Sequence, residues 1–356
     1  MAKFSEVLTI INGKNQSKVE NPNGRYPIYG SGGIMGYADD YLCDAQTVVI
    51  GRKGSINKPI FVEEPFWNVD TAFGLAADRK VLHPKYLFYF CVHFDFEQLN
   101  TTVTIPSLTK ANLLNIEMPL PSLDVQQVIV DRLSKIDSLI ALRKEQLAKL
   151  DELVKARFVE MFEDGESPIK TVEEVCSAIV DCPHTTPKYE GELKNPAIRT
   201  AEIKKGHIEW ETMRYVSDEE YEERTARLKP EAGDIVYGRE GTFGNAAILP
   251  KGYNFCLGQR VMLLRPDYSK CTSEYLLYAV ISDDVYRQAL EKNNASTVAH
   301  VNVKDVKQFR IPLPSFDKQN QFATFVDQID KTKLTIQKSL DKLEVMKKAL
   351  MQEYFG

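Results

Sequence analysis

A basic glycine loop occurs twice in the chain, and its residue types suit contact with nucleic acid. The two copies are residues 51–55 (GRKGS) and residues 238–242 (GREGT). Arginine can bond to guanine through two donors, and backbone amides in glycine turns can hold phosphate. The alternative is a β-turn whose basic side chains face solvent. The recurrence favours a DNA contact, so Arg52, Lys53, Arg239 and Thr242 are candidates.

Other polar loops add to this set. Residues 30–33 (GSGG) and 181–188 (DCPHTTPK) have side chains that could bond to bases or phosphates. The amide- and hydroxyl-rich stretches 100–104 and 293–297 correspond in the two halves, and suit either groove contacts or a mobile loop. The further candidates are Ser31, Asn57, Lys58, Thr102, Thr104, His184, Thr185, Thr186, Lys188, Asn294 and Ser296.

The motifs of DNA-processing enzymes are missing from the sequence. It contains no glycine-rich cofactor loop after a strand, no Asn/Asp-Pro-Pro-aromatic motif, no Walker A sequence and no acidic nuclease cluster. Cys176, Cys182 and His184 lack the second ligand pair of a metal site. No histidine has an obvious nucleophile partner. We therefore predict a recognition protein without catalytic residues, metal or cofactor of its own.

The chain is an internal repeat, which decides how these loops are positioned. The segment 118–122 (MPLPS) recurs as 311–315 (IPLPS), 193 residues later, and the same offset relates residues 126 and 319, 136 and 329, and 162 and 355. An ordered series of matches indicates a duplicated unit. Each copy has a variable globular part, a Pro-Leu-Pro-Ser entry and a helical segment.

The helical segments are unusually long. Pro121 and Pro314 cannot lie inside a helix, and the serine after each is a suitable N-cap. No proline or glycine follows until after Phe162 and Phe355, which predicts two helices, each about 57 Å long at 1.5 Å per residue. Such length indicates a coiled coil or a spacer, the alternative being two helices packed separately on their own domains.

Apolar residues in these segments recur at alternating three- and four-residue steps, the spacing of a coiled-coil seam. Arg143 and Arg157 interrupt the first seam, whereas Lys333 and Lys347 interrupt the second at different places. This mismatch predicts that the helices pair with each other. The predicted interface residues are Leu133, Ile136, Ile140, Leu147, Leu150, Val154, Val326, Ile329, Ile336, Leu340, Leu343 and Leu350.

The globular parts are rich in aromatic and β-branched residues and in glycine turns. Residues 47–50 and 234–237 read as strands that run into tight loops. We expect an α+β fold: two mixed recognition domains separated by two long helices that form a coiled coil, with a pseudo-two-fold internal repeat. The predicted divisions are residues 1–124, the helix 125–162, residues 163–316 and the helix 317–356.

Composition gives a broad class. The chain has 356 residues, 43% of them hydrophobic and 27% charged, with six scattered cysteines and no CxxC pair. No apolar run has the length of a membrane span, and the beginning lacks the apolar core of a signal peptide. We therefore expect reduced thiols and a cytoplasmic protein. The net charge of −5 argues modestly against DNA binding, unless the charge is segregated or partners supply phosphate contacts.

Across essentially its whole length the sequence resembles the specificity subunits of type I restriction–modification systems. The resemblance rests on the duplicated Pro-Leu-Pro entries and long helices, on residues 181–187 (DCPHTTP) and 233–241 (GDIVYGREG), and on the KALM run near the end. It implies that each variable domain reads one half of a bipartite DNA sequence. It also implies that the coiled coil is antiparallel, that the helices set the spacing and dock two methyltransferase subunits, and that a motor-nuclease subunit joins them. S-adenosylmethionine, ATP and Mg would then be bound by the partners.

Other functions remain open from the sequence alone. The chain could serve a fused methyltransferase–nuclease of the type II class. It could be a coiled-coil scaffold with two ligand-binding heads that never touches DNA, which the negative charge supports, or an enzyme with an unrecognised site.

Overall fold

The computed structural model describes residues 1–99, 107–163, 165–190, 194–241, 244–292 and 300–356. These residues form two compact units, one made of Met1–Glu145 with Gln337–Gly356 and the other of Gln146–Ile336. Each unit combines helices and strands, which confirms the expected α+β class. The division falls inside both long helices, whereas the predicted divisions lie at the helix ends and stay predictions.

The first unit has the following elements. Its strands are β1 (Ala2–Lys3), β2 (Leu8–Asn12), β3 (Tyr26–Gly30), β4 (Gly33–Ala38), β5 (Thr47–Gly51), β6 (Ile60–Val62), β7 (Trp67–Asn68), β8 (Ala72–Ala77) and β9 (Glu117–Met118). Its helices are α1 (Phe4–Val7), α2 (Pro84–His93), α3 (Lys110–Leu114) and the beginning of α4 (Leu123–Phe162), with a 3-10 turn at Phe96–Leu99.

The main sheet of the first unit has the strand order β2-β8-β5-β6 and is antiparallel throughout. Every residue of β5 is buried, which explains its continuous apolar sequence. A second sheet, β4-β3-β7, contains the parallel pair β3–β7, and β1 pairs with β9 in a short ribbon. Asn12 lies opposite Phe73, and Gly51 lies opposite Ala72. β2 and β5 therefore end where β8 begins.

The second unit repeats this plan. Its strands are β10 (Ile169–Thr171), β11 (Cys176–Asp181), β12 (Tyr189–Glu190), β13 (Asn195–Ile198), β14 (Arg214–Val216), β15 (Ile235–Gly238), β16 (Ala246–Ile248), β17 (Cys256–Leu257), β18 (Val261–Pro266) and β19 (Arg310–Pro312). Its helices are α5 (Val172–Val175), α6 (Asp218–Arg224), α7 (Ser273–Val280), α8 (Asp283–Lys292), α9 (Val303–Lys307) and the beginning of α10 (Phe316–Phe355).

The sheets of the second unit match those of the first, except that β12 adds a fourth strand to the second sheet. Its main sheet has the order β11-β18-β15-β16, its second sheet contains the parallel pair β13–β17, and β10 pairs with β19. Asp181 lies opposite Met262 and Gly238 lies opposite Val261. β11, β15 and β18 thus correspond to β2, β5 and β8, so the duplication seen in the sequence is also present in the fold.

A buried glutamine holds the beginning of each long helix to its own unit. The Gln126 side-chain oxygen accepts a hydrogen bond from the His83 amide at 2.8 Å, and its nitrogen donates to the carbonyl oxygens of Val81 and Pro121. Gln319 makes the same three bonds, with Thr272, Lys270 and Pro314. Both side chains are fully buried, so these bonds satisfy backbone groups that water cannot reach.

An aromatic residue at the end of each long helix completes a hydrophobic core. In the first unit the Phe355 ring lies 5.1 Å from the Tyr86 ring on α2. In the second unit the Phe162 ring lies 5.1 Å from the Tyr275 ring on α7. Each core therefore contains the beginning of one long helix and the end of the other.

The two long helices pair in both units, as the seam predicts, and they run antiparallel, as the family resemblance implies. In the first unit Lys347 donates to Asp137 at 2.6 Å, and Arg132 donates to the Tyr354 hydroxyl at 3.0 Å. In the second unit Lys333 donates to Asp151 at 2.6 Å. The lysines that interrupt the seam thus form ion pairs with the facing helix, which fixes the register.

All the predicted interface residues are shielded from solvent, at least in part. The buried ones are Leu133, Ile136, Val154, Val326 and Leu340, and the half-buried ones are Ile140, Leu147, Leu150, Ile329, Ile336, Leu343 and Leu350. The helices also expose apolar side chains outside the seam. They include Leu142 and Met346 in the first unit, and Leu153 and Leu334 in the second.

Candidate nucleic-acid interface

Three loops meet at one end of the main sheet in the second unit. Because β11 and β15 end where β18 begins, residues 182–188, 239–241 and 258–260 lie together there. We call them the second loop face. The Cys182 amide donates to the Val261 carbonyl at 3.2 Å, and the Arg239 amide donates to the Arg260 carbonyl at 3.0 Å. The fold thus joins two of the segments that the sequence predicted, and adds a third.

The DCPHTTPK loop has a polar surface, and hydrogen bonds from neighbouring segments hold it in place. Arg224, which is itself buried, donates to the Thr185 hydroxyl and carbonyl oxygens at 3.3 Å each. Gln259 donates to the Thr186 hydroxyl at 2.9 Å. The His184 side chain is 78% exposed and lies 3.4 Å from Asp181. Thr185, Thr186 and Lys188 are also exposed. The loop therefore exposes hydrogen-bond donors and acceptors to solvent, while the bonds from Arg224 and Gln259 fix its conformation.

Arg239 does not share this exposure. The residue is only 6% exposed, and its guanidinium donates to Asp181 at 2.6 Å and to the Val301 carbonyl at 3.4 Å. Its Nε atom is buried and has no hydrogen-bond partner in the described part of the chain. In this conformation Arg239 joins β15 to β11 from inside, so its guanidinium is not presented to a ligand.

Arg260 and Glu240 also lie on the second loop face, and neither was among the candidates predicted from the sequence. Arg260 has a φ angle of 66°, which is unusual for a residue other than glycine. Its side chain is 61% exposed, and its Nε atom lies 3.0 Å from a Glu240 carboxylate oxygen. No motif surrounds Arg260 in the sequence, and the only available signal was its place directly before a buried strand.

A comparable face of the first unit is formed by residues 52–58 and 69–71, which correspond to 239–241 and 258–260, together with the β3–β4 turn at residues 30–33. We call it the first loop face. The Arg52 amide donates to the Thr71 carbonyl at 2.8 Å, which matches the bond between Arg239 and Arg260. Arg52 is exposed, and its guanidinium lies 5.7 Å from the centre of the Phe73 ring. Lys53 and Lys58 are exposed, and Ser31 is half-buried. Three basic side chains are thus available there.

The glycine loop has the same backbone geometry in both units. Gly54 and Gly241 occupy equivalent positions, with φ angles of 79° and 71°. Because L-residues rarely adopt positive φ, glycine is strongly favoured at both places. Leu108 donates its amide to the Arg52 carbonyl and Val301 donates to the Arg239 carbonyl, each at 2.9 Å. The recurrence of this loop in the sequence therefore reflects a recurrent structure.

Of the remaining candidates, Asn57 lies in the described part of the chain and five others do not. Asn57 donates to Asp95 and accepts a bond from the Phe96 amide, both at 2.7 Å, so its side chain ties the loop to the 3-10 turn. Its amide is thus engaged within the fold. The candidates that lie outside the described residues are Thr102, Thr104, Thr242, Asn294 and Ser296.

The cysteines are free thiols that lie mostly in apolar surroundings. Burial raises the pKa of Cys43, Cys256 and Cys271 to about 12, so these thiols are protonated and poor nucleophiles at neutral pH. The described residues contain no cluster of three or more His, Cys, Asp or Glu side chains able to hold a metal. None of the described helices combines the length and apolarity needed to cross a bilayer.

Comparison with known proteins gives one consistent result. The family described as type I restriction modification DNA specificity domain matches residues 1–152 and 184–345. The EcoBI specificity subunit of Escherichia coli is 22% identical over 346 residues, covering 86% of this chain and 70% of that protein. The MjaVIII specificity subunit of Methanocaldococcus jannaschii is 23% identical over 333 residues, covering 86% and 75% respectively.

A solved structure shows the same fold. The crystal structure of a type I restriction–modification S subunit from M. genitalium matches with a TM-score of 0.62 at 16% sequence identity. The match covers 100% of this chain and 95% of the other. It extends over both units and both long helices, which agrees with the duplicated architecture.

Proposed function

Since this chain belongs to the type I restriction–modification DNA specificity family, as a recognition subunit and not a catalytic one, we propose that each of its units reads one half of a two-part DNA target. The repeated loop face carries this proposal. In each unit, the loop after β5 or β15 and the loop before β8 or β18 meet at one end of the main sheet. Because these two loops share a backbone plan, while the third loop and the side chains differ between the units, the two faces suit two different half-sites.

The exposed polar residues of the loop faces are the proposed DNA contacts. In the first unit they are Arg52, Lys53, Lys58 and Ser31. In the second unit they are His184, Thr185, Thr186 and Lys188. Basic side chains suit phosphates and guanine, while hydroxyl groups suit phosphates and base edges. Arg239 and Asn57 are assigned to supporting these loops from within, because their polar groups are engaged inside the fold.

The net charge of −5 is compatible with this role if partners share the phosphate contacts. The proposed partners are two methyltransferase subunits and motor-nuclease subunits, acting together in the cytoplasm. S-adenosylmethionine, ATP and Mg are assigned to those partners. The exposed apolar residues Leu142, Leu153, Leu334 and Met346 on the long helices favour docking of a methyltransferase there.

The paired helices are the proposed spacer between the half-sites. Ion pairs and apolar seam residues fix the helix register in each unit, so the pairing is held at both ends of each helix. A rigid spacer lets a protein select the separation of two half-sites as well as their sequences.

A domain exchange tests the proposed function. Residues 163–316 are replaced by the second domain of another family member, and the chimera is expressed with its methyltransferase. We expect sequencing of methylated DNA to show that one half of the motif changes while the other half and the spacing persist. The reciprocal exchange of residues 1–124 is the matched control and should change the opposite half. A change in both halves from one exchange, or a native complex that methylates no defined motif, contradicts the proposal.

A further inference from the structure

Arg260 combines features of a ligand-binding residue that no motif marks. Its φ angle of 66° lies in a region that costs free energy for a residue with a side chain. Such strained residues persist only where surrounding bonds hold them, and they cluster at functional sites. Here the Arg260 carbonyl accepts bonds from the Arg239 amide at 3.0 Å and from the Thr200 hydroxyl at 3.4 Å. The fold therefore maintains a backbone geometry that glycine would adopt more easily.

The neighbours of Arg260 place it among the polar residues of the second loop face. Gln259, directly before it, donates to Thr186 in the DCPHTTPK loop. Val261, directly after it, is fully buried in β18 and its carbonyl accepts the Cys182 amide bond. Arg260 thus lies between the two loops that the sequence marked, and its side chain is 61% exposed whereas Arg239 is buried.

From this geometry we propose, building on the proposed function, that Arg260 reads a guanine in the second half-site and that Glu240 competes with the base for its guanidinium. An arginine fork can bond to a carboxylate or to the two acceptors of guanine in a similar way. The Arg260 side chain is 61% exposed and that of Glu240 is 29% exposed, so solvent partly screens their ion pair and Arg260 can exchange this partner. Guanine supplies two replacement bonds, whereas a base without two acceptors does not.

Glu240 also changes how Arg260 responds to the DNA backbone. A paired arginine contributes little net positive charge, and the neighbouring carboxylate repels phosphate. The pair therefore lowers the attraction to DNA of any sequence, but guanine can still replace Glu240 at the Arg260 guanidinium. This disfavours binding to non-cognate DNA. The first unit differs at both places, with Thr71 where the second has Arg260 and Lys53 where it has Glu240. An arginine paired with a competing carboxylate is thus found at this position in the second unit and not in the first.

The test uses the complete complex of this chain with its methyltransferase. The motif of the native complex is first read from methylated DNA. Binding is then measured for the cognate duplex and for duplexes substituted at each position of the second half-site. Arg260→Gly removes the side chain and suits the positive φ angle, so the fold should be retained. Arg287→Ala is the matched control, because Arg287 is also exposed and ion-paired but lies on α8.

We expect Arg260→Gly to weaken cognate binding on the order of 5- to 150-fold and to abolish the preference at one guanine. Arg260→Lys keeps the charge and lacks the fork, so it should lose the same preference with a smaller loss of affinity. Glu240→Gln should tighten binding to substituted duplexes and so reduce the ratio of cognate to non-cognate affinity. Arg287→Ala should leave both measurements unchanged.

The proposal on Arg260 is overturned if Arg260→Gly and Arg260→Lys keep the native preference at every position. It is also overturned if Arg260→Gly weakens all duplexes equally, or if Glu240→Gln leaves the affinity ratio unchanged. Any of these results leaves the proposed function intact, provided that the native complex selects a motif. A native complex without sequence preference would instead contradict the proposed function itself.

Discussion

The two units place an arginine at the same position of the same loop and use it differently. Arg52 follows β5 and is exposed beside the Phe73 ring, whereas Arg239 follows β15 and is buried in an ion pair with Asp181. The two units also differ on another strand of the same sheet. Where the second unit ends β11 with Asp181, the first ends β2 with Asn12, which has no charge to offer Arg52. The buried arginine thus has a carboxylate partner two strands away, whereas the exposed arginine has an uncharged residue at that position.

This comparison shows how a duplicated fold can acquire two recognition surfaces. The backbone bonds of the loop are the same in both units, so the scaffold does not distinguish them. In the first unit Arg52 and Lys53 remain available on the surface. In the second unit the buried arginine stabilises the loop, and the exposed groups come from the neighbouring segments instead.

Removing the carboxylate of Asp181 should give the largest effect on stability. Asp181→Ala leaves the buried Arg239 guanidinium without its charged partner, which costs about 3 kcal/mol in a site of this kind. We expect the free energy of unfolding of the second unit to fall by that amount, as measured by native-state hydrogen exchange of the β15 and β18 amides. The equivalent change in the first unit, Asn12→Ala, breaks no ion pair and should alter stability by no more than about 0.5 kcal/mol. Equal losses of unfolding free energy from Asp181→Ala and Asn12→Ala would contradict the difference proposed between the two loop arginines.

The buried glutamines, by comparison, should behave alike. Gln126→Ala and Gln319→Ala each leave a buried backbone amide without an acceptor, which costs about 1–3 kcal/mol. We expect similar losses of unfolding free energy in the two units, with faster exchange of the His83 and Thr272 amides. The exposed neighbour Gln127 is the control, and its replacement by alanine should change stability by less than about 0.5 kcal/mol. A large loss in one unit only would show that the two helix anchors are not equivalent.

The seam lysines should give the smallest effect. Lys333 pairs with Asp151, and both side chains are partly exposed. A double-mutant cycle with Lys333→Met and Asp151→Ala should give a coupling energy of about 0.2–1 kcal/mol, because solvent screens the pair. Lys347 and Asp137 form the comparable pair in the first unit, where Asp137 also accepts a bond from Tyr89. Coupling well above this range would mean that the seam charges stabilise the helices and do not merely set their register.

The sequence predicted the features that depend on local periodicity. The seam could be read because apolar residues recur at helical spacing, and all the predicted interface residues are buried or half-buried. The helices were predicted within a few residues because proline marks where each begins. The repeated glycine loop was found because positive φ angles at Gly54 and Gly241 restrict the residue type.

The burial and hydrogen bonding of side chains that contact residues distant in sequence could not be predicted. Arg239 is buried against Asp181, 58 residues earlier in the chain, because β11 and β15 both pair with β18 and end on the same side of the sheet. Asn57 is engaged because Asp95 and Phe96 lie beside it in the fold. Arg260 has an ordinary residue type in a sequence without a motif, and only its backbone angle marks it. Such features depend on strand register, which residue types alone do not reveal.

The first unit is built from two separate segments of the chain, which affects the order in which the units can fold during synthesis. Its core contains Met351 and Phe355 from the end of α10, although most of the unit is translated first. The second unit comprises the continuous segment Gln146–Ile336, so all its parts leave the ribosome earlier. The nascent first unit therefore has an incomplete apolar core until Met351 and Phe355 have been translated.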